Sequence, residues 1–450
     1  MNKYIYLFII YIPLNISAQF TSQHIKLASQ WTEENKENKQ LYNDVVGWYD
    51  SLNNKEYAII GGIDSIFFLN ITNPNKIEYI QAKAGRSKPC INRDFEIYKH
   101  YCYAIADEGS ASLQIFDLQY LPDSVHTVYD NDSLSGNTHN IFRENNKLYL
   151  CKNRRQNTIY PLEILDITNP EIPTRIGTLK SPIVNNTKWF EYVHDIFVNN
   201  DTGYCSCGNN GLYIYNFNNP SNPKYISSFT QYPLSGFNHS SYLNTKNNTL
   251  YFTDENNGSG IKNIDFNNIK QPNLLSITQP AINAIPHNTY IKDNKLYVSC
   301  YHEGLKIYNI EVPKNPIEIG WFDTYPQNQN NNYQGFKGCW SVYPWLPSGI
   351  ILASDTHNGL FVLKTDSNLG VEKNINFSKI HLYPNPAYNQ LAINTDNKII
   401  KVVYIYNTMG QLEETFENTN IIDTHSLLPG IYILKIIIED KEYSEKFIKN

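Results

Sequence analysis

Apolar and polar positions alternate in short runs along most of the chain, and the runs end at Asn, Asp, Gly or Pro. That alternation has the period of a β-strand. A longer period overlies it. Each unit has a strand centred on one large residue, a loop, a second apolar strand ending in Asn or Asp, and a proline turn. The centres are Tyr57, Tyr103, Tyr149, Tyr204, Tyr251, Tyr297 and Leu352, spaced 46, 46, 55, 47, 46 and 55 residues apart. A repeat of this size marks an array of one supersecondary unit.

The fourth copy shows the plan. Strands are expected at 193–198, 204–207, 212–216 and 224–228, with Asn- and Gly-rich turns between them and a corner at Asn219-Pro220. Proline cannot donate to a ladder, so such corners fall outside strands. Four short antiparallel strands repeated seven times predict an all-β fold, a seven-bladed β-propeller. A linear solenoid is the alternative and would need special end caps. The seventh copy stops after its third strand, while an unassigned strand, His24 to Ala28, precedes the first copy. That strand is expected to close the ring as the fourth strand of blade seven, with residues 24–30 touching 359–364.

The rhythm stops near Leu363. A polar stretch follows, and residues 377–450 form a separate all-β pattern with strands expected at 391–394, 401–407, 430–439 and 442–448. Residues 1–18 carry Lys3, the apolar run Ile5 to Ile12, Pro13 and the small residues Ser17 and Ala18, the make-up of a signal peptide. The run is shorter than the ~20 residues a spanning helix needs. The expected division is thus a signal peptide at 1–18, a propeller at 19–364, a linker at 365–376 and a small C-terminal β-sandwich at 377–450.

The net charge of −6 gives no electrostatic case for nucleic acid or an anionic membrane. Export would place the seven cysteines in an oxidising compartment, either as buried small residues or in one or two inter-strand bridges.

The unit Gly-Leu-x-Ile-Tyr-Asn-Ile-x-x-Pro resembles the LVIVD repeat. The stretch from Asn43-Asp44-Val45-Val46-Gly47-Trp48 to Trp340-Ser341-Val342-Tyr343-Pro344 resembles the choice-of-anchor B family over roughly residues 20–365. That resemblance implies a secreted or cell-surface propeller and brings no activity. Tyr383-Pro384-Asn385-Pro386, Tyr406-Asn407-Thr408-Met409-Gly410, Leu428-Pro429-Gly430-Ile431-Tyr432 and Lys446-Phe447-Ile448-Lys449 occur in order. Together they resemble the type A sorting domain of type IX secretion. This implies that residues 377–450 engage the type IX translocon after signal-peptide export through the periplasm.

His139, His194, His239 and His287 occupy equivalent places at the start of the first strand of their blades. Trp340 holds that place in the seventh copy, Arg93 and Asp94 in the second, and Asp44 lies near it in the first. First strands line the channel of a propeller. An antiparallel second strand ends on the face where the first begins. The same mouth should therefore receive Asp107, Glu108, Arg154, Asp254, Glu255, His302, Glu303, Asp355 and His357, and the opposite mouth only short turns and proline corners. Asn328 to Asn332 is expected to be a mobile loop on the face of Trp340.

Two readings of the histidines stand. In one, neutral imidazoles converge on a transition metal such as zinc, or on a polar ligand. In the other, each bonds a backbone carbonyl of the next blade and repeats because the blade repeats. The first reading admits a metal-dependent hydrolase or oxidase with Glu255 or Glu303 as base. It also admits a binding module in which Arg93, Asp107, Glu108, Arg154, Asp254, His302, Trp340, Asp355 and His357 meet an unknown extracellular ligand or protein. A purely structural adhesin is the third class.

Overall fold

The computed structural model describes residues 20–33, 41–327, 333–366, 381–395, 399–408, 410–438 and 441–450. The expected signal peptide, most of the expected linker and the Asn328–Asn332 loop lie outside them. The chain divides into two compact units, Met1–Leu369 and Gly370–Asn450. The described residues are all-β, with no helix among them, and none is long and apolar enough to cross a membrane.

Among the described residues, the first unit contains seven antiparallel sheets built on one plan and a short hairpin of Ile183–Val184 with Thr187–Lys188. Sheet one is Tyr42–Asp50, Lys55–Gly62, Ser65–Asn70 and Glu78–Ala84, and sheet four is Asp195–Asn199, Thr202–Ser206, Leu212–Asn216 and Lys224–Phe229. The repeat residues sit on second strands, where Tyr57, Tyr103, Tyr149, Tyr251 and Leu352 are wholly buried. Ladder neighbours on both sides and sheets above and below account for that burial. The pair of outer strands in every one of the seven sheets carries a register shift, as at Ile214 and Tyr215 in sheet four. A bulge there adds local twist to the rim strand.

Proline corners dock on neighbouring sheets. A Cβ on Gly177 would lie 2.0 Å from the Pro220 carbonyl oxygen, so only glycine lets that corner approach. The Ser29 hydroxyl donates to the Pro74 carbonyl in the same manner. First strands of sheets one to six pack side by side in chain order, and Cys339–Tyr343 of the seventh packs against Lys295–Ser299 of the sixth and Tyr42–Asp50 of the first.

The contact expected between the two ends of the repeat region is present. Ile25–Trp31 pairs antiparallel with Gly359–Thr365, from Ile25 opposite Thr365 to Trp31 opposite Leu360. Just before it, Ser22–Gln23 pairs with Ile317–Phe322 as a fifth strand of sheet six. His24, at φ 57°, turns the chain from one sheet to the next. The N-terminal segment thus staples two adjacent sheets. All seven cysteines are buried and unpaired, as in the buried-residue alternative rather than the inter-strand bridges.

The second unit has two sheets sharing one core of Leu391, Val403, Ile405, Leu434, Ile436 and Phe447. The four strands expected there are joined by His381–Tyr383, Leu412–Glu417 and Ile421–Asp423. These three are short or carry few apolar positions, so periodicity alone does not reveal them.

Candidate functional site

The first strand of each sheet delivers its leading residue to one end of the array, where the four histidines form an arc. Ring centroids are 4.1 Å apart for His139 and His194, 4.4 Å for His194 and His239, and 4.3 Å for His239 and His287. Trp340 continues the arc 4.9 Å from His287. A cavity of about 340 Å³ opens here, lined by all five, by Glu255 and Tyr301, and by Arg93, Asp94 and Phe336.

The imidazoles differ in their partners. His139 Nδ1 lies 2.6 Å from the Asp107 carboxylate. His287 Nδ1 lies 2.5 Å from the Trp340 carbonyl oxygen of the next sheet. A carbonyl only accepts, so His287 carries its proton on Nδ1 and leaves the Nε2 lone pair free. For that nitrogen the architectural reading holds. Among the described residues, His194 Nδ1 and His239 Nδ1 are buried without a hydrogen-bond partner. Burial holds His194 well below its ordinary pKa, with neighbouring His139 and His239 adding to the effect. Burial likewise pushes His239 and His287 down to about 3. All three are neutral at pH 7.

Glu255 closes the arc. Its Oε1 lies 3.9 Å from His239 Nε2 and 3.8 Å from His287 Nε2. It accepts a 2.5 Å hydrogen bond from the Tyr301 hydroxyl. His239, Glu255 and His287 bring three ligand atoms within 4.8 Å of one another, and His139 and His194 stand outside that grouping. Of the four expected histidines, two thus belong to a group with ligand spacing among the described residues.

Other expected site residues are held elsewhere. Arg93 lines the cavity, but its guanidinium donates to the carbonyls of Gly62, Ile63 and Ser87. Asp107 acts through His139, and Glu108 accepts from the Ile91 amide. The Arg154 side chain is exposed and outside the cavity wall. Asp254 is wholly buried against Lys262. His302 stacks on Tyr333, whose hydroxyl donates to Glu303, and Lys306 pairs with that same carboxylate. Asp355 caps its own turn through the amides of His357 and Asn358, and His357 packs on Tyr325. These second-strand ends point between sheets or into their own turns. The expectation placed them by strand direction alone, which does not decide the side chain's aim.

The opposite end is not the bare rim of turns that was expected. A second cavity of about 360 Å³ is lined there by Phe142, Tyr242, Tyr290, Tyr343 and Trp345, with Glu96 and Arg143. Asp44, Asp94, Asn140 and Asn288 line both cavities and so lie between them. Burial raises the Asp44 and Asp94 carboxyls, and Asp44 raises Asp94 further. Burial also pushes Glu96 and Asp195 up to about 7. A signal for this end was present in the sequence. The third residue after each of the four histidines and Trp340 is aromatic: Phe142, Phe197, Tyr242, Tyr290 and Tyr343.

Residues 381–450 match the family model of the secretion system C-terminal sorting domain. That tail supports type IX delivery and implies a secreted or cell-surface protein. No curated protein matches the chain. Among solved structures, it is similar to the periplasmic gluconolactonase PpgL of Pseudomonas aeruginosa. The TM-score is 0.51 at 10% identity, covering 84% of this chain and 96% of that one. It is also similar to a putative 6-phosphogluconolactonase from Bacteroides uniformis, with a TM-score of 0.50 at 10% identity, covering 91% and 100%. Identities this low carry a propeller-like fold and no activity.

Proposed function

We propose that this chain is a type IX-delivered surface or secreted binding protein whose seven sheets are the blades of a propeller closed by Ile25–Trp31. Its ligand enters the histidine-lined mouth. The LVIVD-like repeat and the pairing of the two ends of the repeat region support the ring. The observation that carries the function is the arc of imidazoles ending at Trp340 around a cavity of about 340 Å³. Three of those rings are neutral, so they offer hydrogen-bond donors and acceptors without charge. Trp340 and Phe336 offer apolar faces beside them. Polar groups converging in a concave, partly aromatic site are the usual make-up of a small-molecule pocket.

The fold neighbours are named for gluconolactone and its 6-phosphate, which makes gluconate and gluconolactone the first probes to try. Titration calorimetry on the full chain should detect binding of a small polyhydroxy acid or lactone. Trp340→Ala should weaken it at least about tenfold, since a hot-spot aromatic contributes 2 kcal/mol or more. Binding that survives both Trp340→Ala and His194→Gln would place the ligand elsewhere. A hydrolase or oxidase at this mouth would need, beyond the imidazoles, a group that activates water or oxygen.

A further inference from the structure

We propose that His239, Glu255 and His287 form a binding site for a divalent transition metal, zinc by donor type. The proposal rests on the histidine-lined mouth being the functional one, and it names what that mouth holds.

Three separate elements bring the ligands together. His239 lies in Asn238–Asn244, Glu255 follows Thr249–Asp254, and His287 precedes Thr289–Lys292. Tetrahedral zinc with bonds of about 2.0–2.1 Å places its ligand atoms about 3.3 Å apart. The two separations from Glu255 are 3.8 and 3.9 Å, and the two imidazole nitrogens lie within 4.8 Å of each other. Small side-chain rotations cover that difference. Two imidazole nitrogens and one carboxylate oxygen are the donor set that zinc and non-haem iron accept.

The surrounding groups already hold two of the ligands in place. The Trp340 carbonyl fixes the proton of His287 on Nδ1 and aims Nε2 at the site. The Tyr301 hydroxyl holds the Glu255 carboxylate. Outer contacts of these two kinds orient metal ligands generally.

Charge balance points the same way. The Glu255 side chain is only 14% exposed, and its ion-pair partners among the described residues are the two histidines. The guanidinium of Arg93 is spent on carbonyls. A dication between the carboxylate and the two imidazoles would sit among groups of the right donor type. Next to His239, His194 is 6% exposed with an unpartnered Nδ1. It offers a fourth donor, or a hydrogen bond to whatever fills the open position.

The other group with ligand spacing, Cys90, Asp107 and Glu108, fits less well. Burial pushes the Cys90 thiol up to about 11, away from thiolate. Asp107 and Glu108 are taken by His139 and the Ile91 amide.

The test uses the full chain, stripped with chelator and titrated with Co²⁺. One equivalent should bind and give the visible absorption of a low-symmetry site. Glu255→Gln and His239→Gln should each weaken Co²⁺ and Zn²⁺ at least about tenfold. His302→Gln, buried outside the cluster, should leave both affinities unchanged. Circular dichroism confirms folding, and Glu255→Gln keeps the shape of the side chain should a histidine variant fail to fold. Absence of saturable binding, or binding indifferent to Glu255→Gln, overturns the metal site. If the stripped protein still binds gluconate in a Trp340-dependent manner but takes up no cobalt, the metal falls and the mouth stands. Stoichiometric cobalt with no Trp340-dependent ligand leaves the metal and sinks the binding function.

Discussion

Lys262 Nζ lies 2.6 Å from Asp254 Oδ2 in the fifth sheet, and neither side chain is exposed. The ammonium also donates to the Leu234 and Ser259 carbonyls, and the Tyr232 hydroxyl donates to the same aspartate. The network accounts for the one lysine among the largest fully buried side chains. Removing one charge strands the other. Asp254→Ala should therefore cost about 3–5 kcal/mol in denaturant unfolding. The double change Asp254→Leu with Lys262→Met should recover most of it. A single substitution costing under about 1 kcal/mol would show that the pair is not ionised.

The closing strand is tested at Gly359. Its φ is +80°, and an added Cβ would lie 2.2 Å from the Trp31 carbonyl oxygen. Gly359→Ala should lower stability by more than about 1 kcal/mol, since the left-handed region and the contact both penalise a side chain. Gly349 also has φ +80° but has no neighbouring atom within 4 Å of such a Cβ. Gly349→Ala reports the backbone term alone, so the difference in melting temperature isolates the strand contact.

Two sets of buried groups pull the pH dependence in opposite directions. His239 and His287 have folded pKa values of about 3, below the unfolded value of ~6.5. On acidification the unfolded chain binds protons first, so their contribution is lost as pH falls from ~6.5 towards 3. Glu96, Asp195 and Asp355 are raised to about 7. There the folded chain holds the extra protons, and stability is lost as pH rises from ~4 through 7. Asp195→Asn removes one member of the second set. It should raise the melting temperature relative to wild type by more at pH 8 than at pH 5. An equal shift at both values would mean that Asp195 does not titrate with folding.

The repeat rhythm was enough to place the second strands and their buried tyrosines, because ladder position and burial both follow from a period. It also marked His24 to Ala28 as a strand without a sheet, and that segment pairs with Gly359–Thr365. The arc of histidines was legible for the same reason: equivalent positions in equivalent units meet at one end. Glu255 was legible as a neighbour of the arc, but its coupling to Tyr301 depends on two turns from adjacent sheets and leaves no periodic trace. Asp254 and Asp355 are engaged by neighbouring groups within their own sheets and turns, which strand direction does not reveal. The aromatic cavity at the far end went unread although Phe142, Tyr242, Tyr290 and Tyr343 recur in phase with the mouth positions.

The seven thiols give a direct chemical check. All are buried and unpaired in a chain whose tail implies export. Burial raises each of them, Cys151, Cys207 and Cys339 among the most affected. Thiol reagent should label almost none in the native protein and all seven after unfolding, without a reducing step. Fewer than seven on unfolding would reveal a bridge.

Delivery can be separated from binding because the sorting unit has its own core. Val403, Ile405, Leu434, Ile436 and Phe447 are buried among themselves and their neighbours within residues 381–450. Removing those residues should leave the histidine mouth intact and strand the protein in the periplasm of a type IX-secreting cell. Fusing them to a periplasmic reporter should carry the reporter outside in the same cells, and not in cells lacking the translocon. Leu434→Asp places a charge in the core of this unit, at a cost of several kcal/mol for an unpaired buried carboxylate. It should abolish export while the metal and ligand affinities of the purified chain stay at wild-type values. Export that persists in that variant would show that a linear signal, rather than the folded sandwich, is what the translocon reads.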